Sequence, residues 1–207
     1  MVIAIDGPAG AGKSTVARAV AERLGFTYLD TGAMYRAVAL AAAERDEPPA
    51  RLAAELEIEL GDRVLAGGRD VTEAIRTPKI SAAASRVSAD PGVRAALVRK
   101  QQELLEHGDW VAEGRDVGTV VCPDAEVKVF LTAAPEVRAR RRADELGTDA
   151  ARVHGELADR DRRDAERAHG PLLPAADAVP VDTSALDLEG AIEQVLVLVV
   201  EAREIEA

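Results

Sequence analysis

Val2-Ile3-Ala4-Ile5-Asp6-Gly7-Pro8-Ala9-Gly10-Ala11-Gly12-Lys13-Ser14-Thr15 runs a short apolar, β-branched segment straight into a glycine-rich turn. The run Val2 to Ile5, bounded by Asp6-Gly7, reads as a strand buried on both faces of a parallel sheet. The next eight residues, Gly7 to Ser14, satisfy G-x-x-x-x-G-K-[ST] at every fixed position. A polyphosphate wrapped by backbone N–H groups leaves no room for side chains, so glycines let the loop curl around it. Lys13 supplies a mobile positive charge for β and γ phosphates, Ser14 a hydroxyl for a Mg²⁺ ion, and the helix that opens here points its positive end at the anion. The competing reading is a chance glycine-rich turn. The strand before it and the periodic Val16, Ala17, Val20, Ala21 and Leu24 after it weigh against that. The motif points to a nucleoside triphosphate site without saying what the triphosphate is used for.

At 207 residues the chain is long enough for one substantial α/β core with small insertions. Its net charge of −11 argues against any general attraction to nucleic acid or an anionic membrane, so local basic clusters stand out. Aromatic residues are too few to supply base-stacking platforms, and no polynucleotide partner is expected. The single cysteine, Cys122, rules out an intramolecular disulfide and suits a reducing compartment, where it serves as a small apolar residue near a strand end. No apolar run approaches the ~20 residues of a membrane span, and the chain opens directly on its first strand, so a cytoplasmic location is expected.

Gly25 reads as a helix stop, Phe26 to Leu29 as a second strand, and Ala33 to Glu44 as a helix. Ligands of open α/β sheets gather beyond the carboxyl ends of strands, where Asp30, Thr31, Tyr35 and Arg36 lie. Asp30 or Thr31 equally suits a helix cap, and the two roles are compatible. From Asp46 to Gly61 the pattern is ambiguous: Pro48-Pro49 breaks a helix and ELEIEL suggests a strand. Residues 64 to 94 interrupt the strand-helix alternation with a turn at Gly67-Gly68 and a helix from Lys79 to Ala89. Asp90-Pro91 opens another helix that Gly108 closes. Trp110 to Glu113 and Val127 to Leu131 read as core strands, Pro135 starts a helix bearing Arg138, Arg140, Arg141 and Arg142, Ala178 to Asp182 is the last strand, and Leu188 to Glu204 the last helix.

Two clusters carry chemistry. Gly114-Arg115-Asp116-Val117-Gly118-Thr119 puts opposite charges beside glycines at a strand end, which is poor core material and good site material; a local ion pair closing a turn is the structural alternative. Arg160, Asp164 and Arg167, at i, i+4 and i+7, share one side of a helix. Two guanidinium groups flanking a carboxylate suit a phosphate, a ribose hydroxyl or a base edge, although a solvated charged face explains the same spacing. His107, His154 and His169 lie in polar surroundings, and no general base, zinc spacing or nucleophile elbow is present. Phosphoryl transfer needs chiefly positioning and charge neutralisation, which this inventory offers.

The ordered set GPAGAGKST, DTGAMYR, DVTEAIRTP, ASRVSADPGVR, EGRDVGTVV and DRDRRDAERAHGPLLPA resembles the bacterial cytidylate kinase family along essentially the whole chain. The resemblance implies an α/β P-loop fold of three layers with a parallel five-stranded sheet. It divides the chain into a kinase core (1–61, 96–146 and 170–207), a small monophosphate-binding insertion (62–95) and a lid (147–169). It further implies transfer of a phosphoryl group from ATP, with Mg²⁺, to CMP or dCMP; separately, a monomer is expected. On this reading Gly7, Pro8, Ala9, Gly10, Ala11, Gly12, Lys13, Ser14 and Thr15 bind ATP, with Ser14 toward the metal. Thr31 and Arg36 hold the acceptor nucleotide and Arg115 its phosphate. Ser85, Arg94, Asp116 and Arg167 read the cytosine, and Arg160 with Asp164 the sugar. Lys13, Arg115, Arg142 and Arg160 are the catalytic set, with Arg142 and other lid arginines spreading the developing charge.

The chain departs from the family pattern slightly. Thr31 stands where serine is frequent, Ser14 where some members have glycine followed by threonine, and the lid is short. Another small P-loop kinase, acting on dephospho-coenzyme A or shikimate, shares the cradle but gives no reason for ASRVSADPGVR together with DRRDAER. A regulatory module binding both nucleotides without turnover is the alternative outside enzymes.

Overall fold

The computed structural model describes residues 1–205. In chain order they form β1 (Val2–Asp6), α1 (Lys13–Leu24), β2 (Thr27–Asp30), α2 (Thr31–Arg45), α3 (Pro49–Glu55), β3 (Ile58–Leu60), β4 (Val64–Ala66) and β5 (Arg69–Asp70). There follow α4 (Pro78–Val87), α5 (Pro91–Leu105), β6 (Trp110–Gly114), β7 (Val127–Thr132), α6 (Pro135–Leu146), α7 (Ala150–Ala165), β8 (Val179–Asp182) and α8 (Leu188–Ile205). The chain divides into two compact units, one of Met1–Tyr28 and the chain from His107 onward, the other of Leu29–Glu106.

The five-stranded sheet runs β2-β6-β1-β7-β8, with β1 parallel to both β6 and β7, and β7 parallel to β8. All five residues of β1 are buried, as a central strand covered on both faces demands. Its core joins Ile3 and Ile5 to Val16, Ala17 and Val20 of α1, to Val111, Val129, Leu131 and Val181 of neighbouring strands, and to Ile192, Val195 and Val199 of α8. Gly25 ends α1 in the left-handed conformation, its N–H turned back to the carbonyls of Ala21 and Glu22. The connection leaving β1 heads for β2 and the one leaving β6 heads for β7. They diverge at the β1/β6 pair, the arrangement in which open α/β sheets hold ligands beyond the carboxyl ends of their strands.

Two features of this region were not legible beforehand. After β6 the chain makes one π-helical turn, Val117–Val121. Asp6, ending β1, accepts from the N–H groups of Val117 (2.9 Å) and Gly118 (2.8 Å), so a carboxylate pins that turn to the strand that feeds the phosphate loop. Cys122, directly after the turn, is half-buried; burial, then the hydrogen bond toward Asp124, pushes its thiol up to about 11.

The Leu29–Glu106 unit holds the helices α2 to α5 and a separate three-stranded antiparallel sheet, β3-β4-β5, with its turn at Gly67-Gly68. Here α2 packs on α4 and α3 on α5. The ambiguous stretch resolves as α3 followed by β3. Pro48 stands at the N-cap of α3 and Pro49 in its first turn, where a missing N–H costs nothing, so the proline pair begins a helix rather than preventing one. Only Ile58–Leu60 of ELEIEL pairs as strand. The unit is longer than the 62–95 insertion expected, and the boundary at 61/62 falls inside the β3-β4-β5 sheet.

Gly7 tests how tightly the first unit is built. It has φ +149°, and a Cβ there would lie 1.9 Å from the Leu131 carbonyl oxygen on β7. Gly7→Ala is therefore expected to cost more than about 3 kcal/mol in urea unfolding. Gly25→Ala, left-handed but with nothing within 4 Å, costs only about 1–2 kcal/mol. Equal costs would show that backbone conformation alone, not the approach to β7, is at issue.

Candidate active site

In the first unit the phosphate loop begins where β1 stops. Gly10 and Gly12 take φ +76° and +89°, and Gly12 caps α1. Lys13 is buried, its Nζ donating to the Pro8 carbonyl at 2.9 Å, while Ser14 and Thr15 are exposed in the first turn of α1. Burial, reinforced by the neighbouring guanidinium of Arg115, pulls the Lys13 ammonium down to about 7, against the pull of Glu113; Arg160 adds to the depression. Glu113 is a buried carboxylate on β6 that accepts from the Tyr28 hydroxyl at 2.6 Å. Asp6 is pushed up to about 6 by burial, against the lowering effect of its two backbone hydrogen bonds.

The arginines of the 160s divide. Arg162 and Arg163 lie exposed, with Arg162 paired to Asp159, as a solvated face would have it. Arg160 and Arg167 turn inward with Asp164, which is 3% exposed. Arg115 Nε donates to Asp164 Oδ2 at 3.0 Å, Arg160 Nε lies 3.9 Å from the same oxygen, and Arg167 Nη2 lies 3.8 Å from Oδ1. Burial opposes ionisation of Asp164, but Arg115, Arg160 and Arg167 outweigh it and hold the carboxyl below its ordinary range. Three guanidinium groups therefore converge on one carboxylate. Asp116 is buried at the end of β6.

On α6 the arginines divide between the helix surface and the phosphate loop. Arg142 pairs with Glu145 at 2.6 Å along the helix surface. Arg138 and Arg141 instead turn toward the loop. Arg138 donates to the carbonyls of Ala133 (3.0 Å) and Ala9 (2.9 Å) and pairs with Asp161. Arg141 donates to Thr183 Oγ1 and to the Thr183 carbonyl. The run Arg138 to Arg142 gave no means of ranking these side chains, because facing depends on how α6 meets α7. Asp6, Glu113, Arg138, Arg141 and Asp161 were missed. A carboxylate ending an apolar strand was the available signal for Asp6 and Glu113.

The Leu29–Glu106 unit carries its own set. Asp30 caps α2, accepting from the Ala33 N–H at 2.8 Å, and also pairs with Arg36 Nη2 at 2.7 Å. Thr31, Ser85 and Arg94 are each 6% exposed or less. Arg94 enters α5 just after the Asp90 cap, and its Nη1 reaches the Tyr35 hydroxyl at 3.4 Å. Arg36 Nε is buried with no hydrogen-bond partner among the described residues. Buried cationic and hydroxyl donors of this kind suit an anionic or carbonyl-bearing ligand.

Comparison with known proteins agrees with this inventory. The Cytidylate kinase family profile matches residues 3–201. A cytidylate kinase of Pelotomaculum thermopropionicum is 50% identical over 211 residues, covering 94% of this chain and 93% of the relative. One from Solibacter usitatus is 48% identical over 213 residues, covering 96% and 92%. Among solved structures, a shikimate kinase from Bacteroides thetaiotaomicron superposes with a TM-score of 0.52 at 16% identity, over 96% of this chain and 98% of that one, which shows a shared P-loop kinase fold. Motif, fold and relatives converge: the chain belongs to the cytidylate kinase family.

Proposed function

We propose that this protein is a nucleoside monophosphate kinase that transfers the γ-phosphoryl group of ATP to CMP, and also to dCMP, by direct in-line displacement. The observation that carries the reading is the convergence of Arg115, Arg160 and Arg167 on Asp164, close enough to Lys13 for two of those arginines to depress its pKa. So much buried positive charge beside a phosphate loop is matched to a highly anionic transition state.

The donor triphosphate is taken by the loop Gly7 to Thr15, with Lys13 at the β and γ phosphates. Among the described residues no three acidic, histidine or cysteine side chains form a cation site. The exposed Ser14 hydroxyl, in the first turn of α1, fits a Mg²⁺ that arrives with the nucleotide and keeps most of its water. Bound there, the ion would neutralise charge on the β and γ phosphates. Ser14 would supply it with one oxygen, and Lys13 would approach the same phosphates from the loop.

Groups suited to the acceptor are found in each unit taken by itself. Thr31 and Arg36 suit the monophosphate, as does Arg115. Ser85, Arg94, Asp116 and Arg167 suit the cytosine, whose exocyclic amine donates to a carboxylate while O2 and N3 accept from cations or a hydroxyl. Uracil reverses two of those groups and would leave buried partners unmatched. Arg160 and Asp164 suit the sugar. Arg160 and Arg115 lie beside Lys13, so they are placed to share the charge on the transferred group. Arg142 would have to leave Glu145 to join them.

Coupled measurement of ADP release is expected to give the highest kcat/KM with CMP and dCMP and at least a hundredfold less with UMP or AMP. Fastest turnover on either of the latter would overturn the assignment. Arg94→Ala and Asp116→Ala should each raise KM for CMP tenfold or more and leave ATP affinity within threefold.

Lys13 supplies a pH test. Between about 7 and its ordinary 10.5 the folded protein holds fewer protons at this group than the unfolded chain. The Lys13 contribution to stability therefore rises with pH across that window, and its cost is complete below about 7. A bound polyphosphate restores the ammonium, so ATP binding at pH 8 should take up close to one proton and much less at pH 6. Calorimetry in buffers of different ionisation enthalpy reads this directly, and no buffer dependence at pH 8 would show Lys13 charged throughout.

A further inference from the structure

One carboxylate of α7 lies outside every role assigned above. Val153, Leu157 and Asp161 stand at i, i+4 and i+8 on one face of α7. The first two close an apolar seat with Ala139 and Ala143 of α6 and with Ala9 of the phosphate loop. Where that apolar stripe ends, Asp161 takes over. Its Oδ1 accepts from the Ala9 backbone N–H at 3.1 Å, and its Oδ2 pairs with Arg138 Nη1, which also donates to the Ala9 carbonyl at 2.9 Å. Arg138 is itself fixed from below by the Ala133 carbonyl. The Ala9 peptide is thus held on both sides, its N–H by a carboxylate of α7 and its carbonyl by the partner of that carboxylate. The Arg138 side chain is 11% exposed and that of Asp161 19%, so the pair lies largely out of water, where charge-assisted bonds are strong.

We infer that Asp161 is a positioning residue. Through Ala9 and Arg138 it ties α7 to the phosphate loop, and so sets the place of its neighbours Arg160 and Asp164. Arg160 is the preceding residue, and Asp164 lies one turn further along the helix. Any slip of α7 against Ala9 moves both, and with them the oxygen on which Arg115 closes. The tether therefore couples the donor-phosphate loop to the groups proposed above for the acceptor sugar, and this consequence for turnover rests on that reading. Asp161 is assigned no contact with substrate, and no bond is made or broken at it. Asp159, two residues earlier, pairs with exposed Arg162 and serves as an internal control.

The experiment compares Asp161→Ala, Asp161→Asn and Asp159→Ala in the full chain. Without nucleotide, hydrogen exchange of the amides of α7 should quicken at least tenfold in Asp161→Ala, while α1 and α8 keep wild-type protection. In turnover, Asp161→Ala should lower kcat tenfold or more and raise KM for CMP by a similar factor, leaving the Kd for ATP alone within threefold. Asp161→Asn fills the same space but sets an amide donor against Arg138, so it should behave like Asp161→Ala; a side chain needed only for packing would leave it like wild type. Asp159→Ala should stay within twofold throughout. Unchanged exchange in α7, a wild-type Asp161→Asn, or ATP affinity falling in step with CMP use would each overturn the tether. Failure of the wild-type protein to phosphorylate CMP would instead remove the functional reading, and the exchange result, which needs no nucleotide, would stand apart from it.

Discussion

Buried positive charge that the protein neutralises only in part is the constraint on which this molecule turns. Lys13 is enclosed, hydrogen-bonded to the Pro8 carbonyl and crowded by Arg115 and Arg160, and its ammonium is correspondingly weakened. Glu113 and Asp6 moderate the field, and Asp164 gathers three guanidinium groups, yet Asp6 is itself pushed toward its neutral form by burial. The chain as a whole carries −11. A cationic cluster set into an acidic chain attracts small polyanions by local field and contact rather than by general attraction.

The topology makes that crowding unavoidable. With β1 beside β6, the phosphate loop and the segment Gly114–Asp116 issue from adjacent strand ends, and the connections leave in opposite directions. Asp6 fixes the pair by holding the amides of Val117 and Gly118, and Gly7 brings the loop so close to Leu131 that no side chain fits. The left-handed Gly147 ends α6, and α7 packs on α6 through Ala139, Ala143, Val153 and Leu157.

Much of this was legible in the residues. The glycine-lysine-serine signature, the alternation of strands and helices, the start signals Asp90-Pro91 and Pro135 and the stop signal Gly25 are local, and local physics decides them. Pro48-Pro49 misled because proline forbids a helix interior but favours its first turn, and only the residues that follow tell the two apart. The spacing of Arg160, Asp164 and Arg167 defined a helix face without saying which way it points. The apolar seat of Val153 and Leu157 against α6 settles that, and Arg162 and Arg163 on the other side are the solvated residues that composition alone suggests. The facing of Arg138 and Arg141, and the π-helical turn after β6, depend on contacts between segments far apart in sequence. No periodicity encodes them.

Cys122 has a practical corollary. With its thiol raised to about 11 by burial and by Asp124, only on the order of three molecules in ten thousand present a reactive thiolate near pH 7.5. A maleimide dye would pass it over in favour of any exposed cysteine introduced elsewhere. Fluorescence reporters can therefore be attached along α7 or on the Leu29–Glu106 unit without first deleting the native sulfur, and the motions of each followed in an otherwise unaltered protein.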